Sequence, residues 1–313
     1  MPTQSPPRPD GEGGPGPVLS VRDLRFRYAG RAEPALHGVG FDLWPGEVLG
    51  VLGPNGSGKS TLLSAVLDVK KGHREGEVTL FGAPVSAGAG HRVGYATQMT
   101  ALYLPLTVRE NLVHAARLVL PRRRTGEAVR RSVEEFRLDG VLERRVGELS
   151  GGWRRLVHIA ASFVHEPPLR FLDEPTAALD FETRGRLVSL VADWAARGAS
   201  VVVTSHYPED LEEMCTRLLV IRQGVVIRSA TLADLLAGVS RRLVVEVSQE
   251  GRERTVTLEL PARSGDLARD IAAALDAARV APEARLENLR LTSANLRGLL
   301  TGDPRLTGVI VND

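Results

Sequence analysis

The sequence predicts an α/β protein: a parallel sheet crossed by helices, a helical insertion within that sheet, and a small α+β module after it. Three observations carry this reading. Short apolar runs recur at residues 48–52, 169–172 and 200–204, and the first is continuous, the mark of a strand buried on both faces. Helical stretches separate them, including residues 60–69 and 182–196, and strands alternating with helices pair in parallel through right-handed crossovers. Beyond about residue 240 the texture shifts to alternating strands and an Ala-rich helix.

Taken in order, residues 1–17 hold Pro or Gly at ten positions and read as a disordered tail without the apolar core of a secretory signal. Residues 18–28 mix β-branched and aromatic types with charges and end at Ala29-Gly30, a strand entering a turn. Phe41-Asp-Leu-Trp alternates apolar with polar and stops at Pro45-Gly46, a second strand closed by a turn. The buried strand 48–52 then leads through a glycine-rich loop into helix 60–69. Residues 107–165 read as mainly helical, a subdomain spanning about 99–165, with Arg122-Arg-Arg and Arg130-Arg131 on it. In the last part, residues 243–247 and 255–260 flank Gln249-Glu-Gly as a hairpin, and residues 266–280 form a helix. The expected boundaries are therefore a domain over 18–238 and an accessory α+β module over 239–313.

Length and composition agree. A chain of 313 residues fits one nucleotide-sized domain plus a smaller appendage. With 43% apolar and 25% charged residues it has the balance of a folded soluble protein. Only Lys59, Lys70 and Lys71 of the 40 basic residues are lysine, so a lysine marks a place where a compact point charge is needed. A net charge of +2 gives no strong field for capturing nucleic acid. The single Cys215 excludes an internal disulfide, which fits a reducing compartment. No stretch reaches the roughly 20 apolar residues that span a bilayer.

The strongest motif is Gly53-Pro-Asn-Gly-Ser-Gly58-Lys59-Ser60-Thr61, which fits G-x-x-x-x-G-K-[ST] between a buried strand and a helix. Here the glycines of the loop Gly53, Pro54, Asn55, Gly56, Ser57 and Gly58 let its backbone N–H groups, which Pro54 lacks, curl around a phosphate, and the helix that follows presents its N-terminal N–H groups to the same anion. Lys59 reaches the β- and γ-phosphates, Ser60 offers its hydroxyl to Mg²⁺, and Thr61 is counted with them as nucleotide-binding. The second element is Leu169-Arg-Phe-Leu-Asp173-Glu174-Pro175. Asp173 ends a buried strand beside the phosphate loop, placed to hold Mg²⁺. Glu174, one residue on, points elsewhere and is placed to polarise a water for attack on the γ-phosphate.

With these motifs the sequence resembles the ATP-binding subunits of ATP-binding cassette (ABC) transporters over about residues 18–235. Leu149-Ser150-Gly151-Gly152 is similar to the family signature, Ala177-Ala-Leu-Asp180 to its D-loop, and His206 to its switch histidine. Gln98 stands where the family has its Q-loop glutamine, a metal-side and catalytic position, and Tyr28 where it has an aromatic residue against adenine. Ser150 is expected to cap a helix starting near Trp153, turning its amides outward. The resemblance implies a P-loop NTPase cassette, with a RecA-like parallel core, an antiparallel β subdomain and an inserted helical subdomain. It implies ATP and Mg²⁺ as cofactors, and a homodimer in the ATP-bound state with each ATP between the phosphate loop of one copy and the signature of the other. It also implies a separate multi-span permease docked near residues 98–120, and a cytoplasmic location at the inner membrane face. No nucleic-acid partner is expected.

Two features depart from the family pattern. Trp153 replaces the usual glutamine after Ser-Gly-Gly, as in translation-associated members of the superfamily, and is expected to leave hydrolysis intact. Residues 286–302 resemble, loosely, the tail of drug- and antibiotic-exporter cassettes, which points to export. A rival reading is a soluble ATPase acting on ribosomes or nucleic acid. Trp153 motivates it, as does segment 122–155, whose ten arginines and six acids give +4. Against it, residues 241–313 carry eleven arginines and eleven acids, so they are no basic arm.

Overall fold

The computed structural model describes residues 15–85, 91–177, 179–237, 241–249, 252–260, 267–277, 285–292 and 295–302. The chain divides into two compact units, the first reaching Ala230 and the second running from Thr231 to Ile310.

In the first unit, β1 (Leu19–Tyr28) and β2 (Leu36–Leu43) pair antiparallel, followed by β3 (Val48–Leu52) and α1 (Lys59–Val66). The second strand begins five residues ahead of the expected Phe41, because Leu36 and Val39 also bury their side chains. Next come β4 (Gly72–Leu80), β5 (Ala83–Pro84) and β6 (Val93–Ala96). The helical insertion holds α2 (Val108–Val119), α3 (Arg122–Phe136) and α4 (Gly151–Phe163), and then β7 (Leu169–Asp173) and α5 (Phe181–Ala196) return to the core. The unit closes with β8 (Ser200–Ser205), α6 (Pro208–Met214), β9 (Arg217–Arg222) and β10 (Val225–Thr231).

Two sheets result. The antiparallel one runs β2-β1-β4-β5 and the larger one β10-β9-β3-β8-β7-β6, in which β3 pairs parallel with both β8 and β9, and β7 parallel with β6 and β8. Every residue of β3, β7 and β8 is buried, as central parallel strands require. Residues Phe26, Phe41, Leu62, Leu63, Val66, Phe171 and Ile221 share one apolar cluster, so α1 is packed with both sheets. At eight residues α1 is too short to hold alone in water. Burial of Leu62 and Leu63, about 1.5–3 kcal/mol each, holds it in place. It ends at Val66 rather than residue 69, with Asp68 in the left-handed region at φ 55°.

Local sequence sets the insertion. Thr107 and Glu110 form a reciprocal capping box at the start of α2. On α3, Arg131 pairs with Glu127 and Glu166, and Arg130 with Glu134, so arginines of that segment lie on a solvated, ion-paired face.

The second unit contains α7 (Leu232–Ala237), β11 (Arg241–Gln249), β12 (Arg252–Leu260), α8 (Leu267–Ala277), β13 (Arg285–Thr292) and α9 (Leu296–Gly302). Its sheet runs β12-β11-β13, all antiparallel, around a small core of Leu243, Val245, Val256 and Leu260 with Ile271 and Leu275 of α8 packed on it. The unit begins before the expected 239 because α7 packs with α9 and buries Leu235. Of the sequence expectations here, residues 250–251 of the hairpin turn, 266 and 278–280 of the helix, and 293–294 of the tail-like segment lie outside the described residues, as do residues 1–14 and Ala178.

Candidate active site

Parallel register gathers the site. Leu52 at the end of β3 lies opposite Ser205, and Asp173 at the end of β7 lies opposite Thr204. The loop after β3, the two carboxylates after β7 and the histidine after β8 therefore leave the sheet at one edge, where open α/β sheets place their ligands.

The loop is built on glycine. Gly56 and Gly58 have φ of 78° and 107°, values that favour glycine. A Cβ at Gly53 would sit 2.3 Å from the Ile221 carbonyl oxygen, so nothing larger fits there. The amide of Gly224 donates to the Ser57 carbonyl at 2.8 Å, bracing the loop from the β9–β10 turn. Helix α1 has no side-chain cap and no acid in its first turn, which leaves its N-terminal amides free to meet an anion. The Ser57 hydroxyl is buried without a hydrogen-bond partner among the described residues. Beside the loop lies a cavity of about 650 Å³ lined by Tyr28, Asn55, Lys59, Ser60, Thr61, Gln98 and Glu174, among others.

Lys59 is 5% exposed, and its Nζ donates to the carbonyls of Gly53 (2.7 Å) and Pro54 (3.2 Å). The same ammonium lies 3.0 Å from Glu174 Oε1, while His206 Nδ1 lies 2.7 Å from Glu174 Oε2. Glu174 itself is buried and left-handed at φ 49°, a strained conformation for a non-glycine residue. Its amide donates to Thr204 Oγ1 at 2.9 Å, which holds that conformation. The His206 ring packs on Tyr207 with centroids 3.9 Å apart.

Asp173, the last residue of β7, turns its carboxylate to other partners. It accepts from Ser60 Oγ (3.0 Å), Thr204 Oγ1 (2.7 Å) and Tyr95 (3.2 Å). Burial, with the charge of Asp173 behind it, raises the pKa of the Tyr95 phenol, so it remains a donor at neutral pH. Ser60 and Asp173 together offer the hard oxygen donors that suit Mg²⁺. Among the described residues no three His, Cys, Asp or Glu side chains cluster as a metal site.

Tyr28 lines the cavity with its hydroxyl 2.8 Å from Thr61 Oγ1, its ring edge-on to Phe26 and Lys70 Nζ 5.6 Å from its centroid. The signature stands apart. Helix α4 starts at Gly151, two residues ahead of expectation, with Ser150 as its N-cap accepting from the Trp153 amide at 3.4 Å. Leu149 and Gly152 are buried, whereas Ser150 and Gly151 are exposed. Gly151 lines a neighbouring cavity of about 390 Å³, shared with Gln98 and Glu174. Asp180 caps α5, accepting from the Thr183 amide and hydroxyl, and these bonds lower its pKa. A Cβ on Gly152 would lie 3.2 Å from Asp180 Oδ2, so the starts of α4 and α5 adjoin. The Trp153 ring is faced by the Arg186 guanidinium at 4.9 Å.

Sequence reasoning missed four contributors. Tyr95 and Thr204 hold Asp173. Asp210, buried in α6, gathers Thr176, Ser205 and Arg184, tying the segment after Glu174 to the segment before His206. Arg155 is the fourth, and the visible signal for it is an arginine one residue before the apolar run Leu156-Val157.

The chain matches the family described as ABC transporter over residues 36–177. It is 31% identical over 239 residues to the linearmycin resistance ATP-binding protein LnrL of Bacillus subtilis (strain 168), covering 75% of this chain and 76% of that protein. It is 34% identical over 233 residues to the Nod factor export ATP-binding protein I of Rhizobium etli, covering 74% and 73%. Among solved structures, an ATP-binding subunit of an ABC transporter superposes with a TM-score of 0.62 at 28% identity, over 70% of this chain and 91% of that one. In fold it is also similar to CbiO1 of Clostridium perfringens, part of the complex cbiONQ, with a TM-score of 0.63 at 24% identity over 71% and 91%.

Proposed function

For this chain, which belongs to the ABC transporter family as an ATP-binding subunit and is an ATPase, we propose a two-site engine that drives export through a separate permease. The observation that carries the hydrolytic half is the Glu174 carboxylate, held between Lys59 and His206 beside the phosphate-loop cavity.

On this reading Gly53 to Thr61 hold the phosphates, Lys59 bridges their oxygens, and Tyr28 meets the base. Ser60, Asp173 and Gln98 would hold Mg²⁺, which would supply charge neutralisation for the phosphates. Phosphate oxygens compete with Glu174 for the Lys59 ammonium, freeing Oε1 to face water. Glu174 takes a proton from that water as its oxygen bonds the γ-phosphorus. The bond from the γ-phosphorus to the bridging oxygen breaks, and ADP departs with the electron pair. His206, donating from Nδ1 to Oε2, holds the carboxylate in line.

Exposed Ser150 and Gly151 at the start of α4 support a homodimer, in which the signature of one copy meets ATP held by the other. Phe181, 90% exposed beside Asp180, supplies apolar surface to the same contact. Among the described residues no helix is long and apolar enough to cross a membrane, and ATP-binding subunits of this family work with separate permeases. The exposed Met99, Tyr103, Leu104 and Leu118 give the 98–120 segment an apolar surface that supports docking of one there, and with it a location at the membrane's inner face. Export rests on the likeness to the linearmycin resistance and Nod factor export proteins.

Glu174→Gln is expected to abolish turnover while ATP binding persists. Hydrolysis by that variant at the wild-type rate would remove Glu174 from its role. Co-purification with a multi-span protein is expected for the transport reading, whereas salt-sensitive co-sedimentation with ribosomes would favour the soluble alternative.

A further inference from the structure

Arg155 lies in the second turn of α4, five residues past Ser150, and is 5% exposed. Its side chain reaches five main-chain carbonyls. Nη1 donates to Thr97 (2.6 Å) and Gln98 (2.9 Å), Nη2 to Asp173 (2.6 Å) and Glu174 (3.1 Å), and Nε to Pro175 (3.3 Å). These carbonyls belong to two segments, one leaving β6 and one leaving β7. The ladder between those strands ends at the Ala96–Leu172 pair, and Arg155 takes over where it stops.

A buried guanidinium is an expensive way to fill space. Removing it from water costs several kcal/mol, and an apolar residue of similar size packs a helix without that cost. Burial lowers its pKa, with the charges of Asp173 and Glu174 acting in the opposite direction. A planar fork of five donors is what spans two backbone segments at once, and a lysine ammonium, a single point with three donors, does not. Arg155 is absent from the lining of the 650 Å³ cavity and lines the neighbouring 390 Å³ one beside Gln98 and Glu174, so it stands behind the walls of the nucleotide cavity rather than in it.

We propose that Arg155 is a positioning residue: it locks the segment bearing Gln98 to the segment bearing Glu174, and ties both to the helix whose first turn carries the signature. The alignment of the hydrolytic groups then depends on where α4 stands, so that contact at Ser150–Gly152 is felt at Glu174 of the same copy. This rests on the roles given above to Glu174 and Gln98.

The test measures kcat, KM, affinity for a fluorescent ATP analogue and thermal unfolding on the full chain carrying Arg155→Met, Arg155→Lys or Arg155→Ala. Arg155→Met and Arg155→Lys are expected to bind the analogue within about twofold of wild type while kcat drops about ten- to a hundredfold, the scale of a misplaced catalytic group. Guanidinium ion at millimolar concentration is expected to restore part of kcat in Arg155→Ala without changing affinity. A kcat within twofold of wild type in a folded Arg155→Met would overturn the proposal. So would affinity and kcat falling together in both Met and Lys variants, or failure of both to fold, since either outcome makes Arg155 a general structural residue. Glu174→Gln run in parallel separates the two ideas. If it turns over normally, the role of Glu174 is wrong, whereas the positioning by Arg155 is still decided by the split between kcat and affinity.

Discussion

Helices α1 and α4 both open on a glycine-rich run, and their first turns are finished differently. The N-cap of α1 is Gly58 in a left-handed conformation, without a side-chain cap, and the loop before it curls against the Ile221 carbonyl. The N-cap of α4 is Ser150, whose hydroxyl satisfies the Trp153 amide, and Ser150 and Gly151 face solvent between buried Leu149 and Gly152. Below those turns the contrast reverses. Apart from Lys59 and Ser64, α1 buries only Leu62, Leu63, Ala65 and Val66, whereas α4 buries Arg155 and His158 among its apolar side chains. An anion-binding helix end served by its own chain has a lysine, a cavity and a rigid apolar foundation. One proposed to serve a second copy is left open at the tip, with polar side chains running from it to the site behind.

The largest expected effect falls on α1. Replacing Lys59 by Met removes the ammonium from the phosphate loop and leaves the buried Glu174 carboxylate to His206 alone, so ATP affinity should fall at least tenfold and turnover to background, read by fluorescence titration and phosphate release. Ser150→Ala should behave otherwise. It removes a cap worth about 1 kcal/mol of stability and should cut turnover several-fold, with ATP affinity of the single chain unchanged. Equal losses of affinity in the two variants would erase the distinction between an end that serves its own site and one that serves its partner.

The same contrast explains what was legible in the sequence. Strand β3 and the loop after it could be read residue by residue, because continuous burial and the need for glycine leave little freedom there. That adjacent Asp173 and Glu174 would take different partners was the expectation, and Ser60 lies against the first and His206 against the second. The left-handed turn at Glu174 left no mark, since it depends on Thr204 from another strand. The reach of Arg155 to Thr97 and Pro175 was equally hidden, being set by how α4 crosses two strand ends. Short edge strands such as β5, two residues long, carry too little pattern to be seen. In the second unit the hairpin was readable from two strands flanking Gln249-Glu-Gly, its register of Leu243 with Leu258 and Val245 with Val256 was not, and α7 joined that unit through a tertiary contact with α9.

The smallest expected effect is a pH response centred on α4. His158 is 4% exposed, its Nδ1 has no hydrogen-bond partner among the described residues, and burial, aided by the nearby Arg155 charge, pushes its pKa down to about 4. An unfolded histidine titrates near 6.5, so between about pH 6.5 and 4 the unfolded chain holds the extra proton. Stability contributed by neutral His158 is therefore complete above about 6.5 and is lost as pH falls toward 4, by at most about 1.4 kcal/mol per pH unit. His165, whose pKa burial also lowers, adds in the same direction. Helix α1 contains no histidine, so amide exchange corrected for intrinsic rate should quicken in α4 relative to α1 between pH 7 and 5. His158→Leu should flatten that difference while leaving stability near pH 7.5 within about 1.5 kcal/mol. If both helices loosen together, or the leucine variant keeps the full acid response, the polar interior of α4 is not what distinguishes it, and the acid response belongs to the unit as a whole.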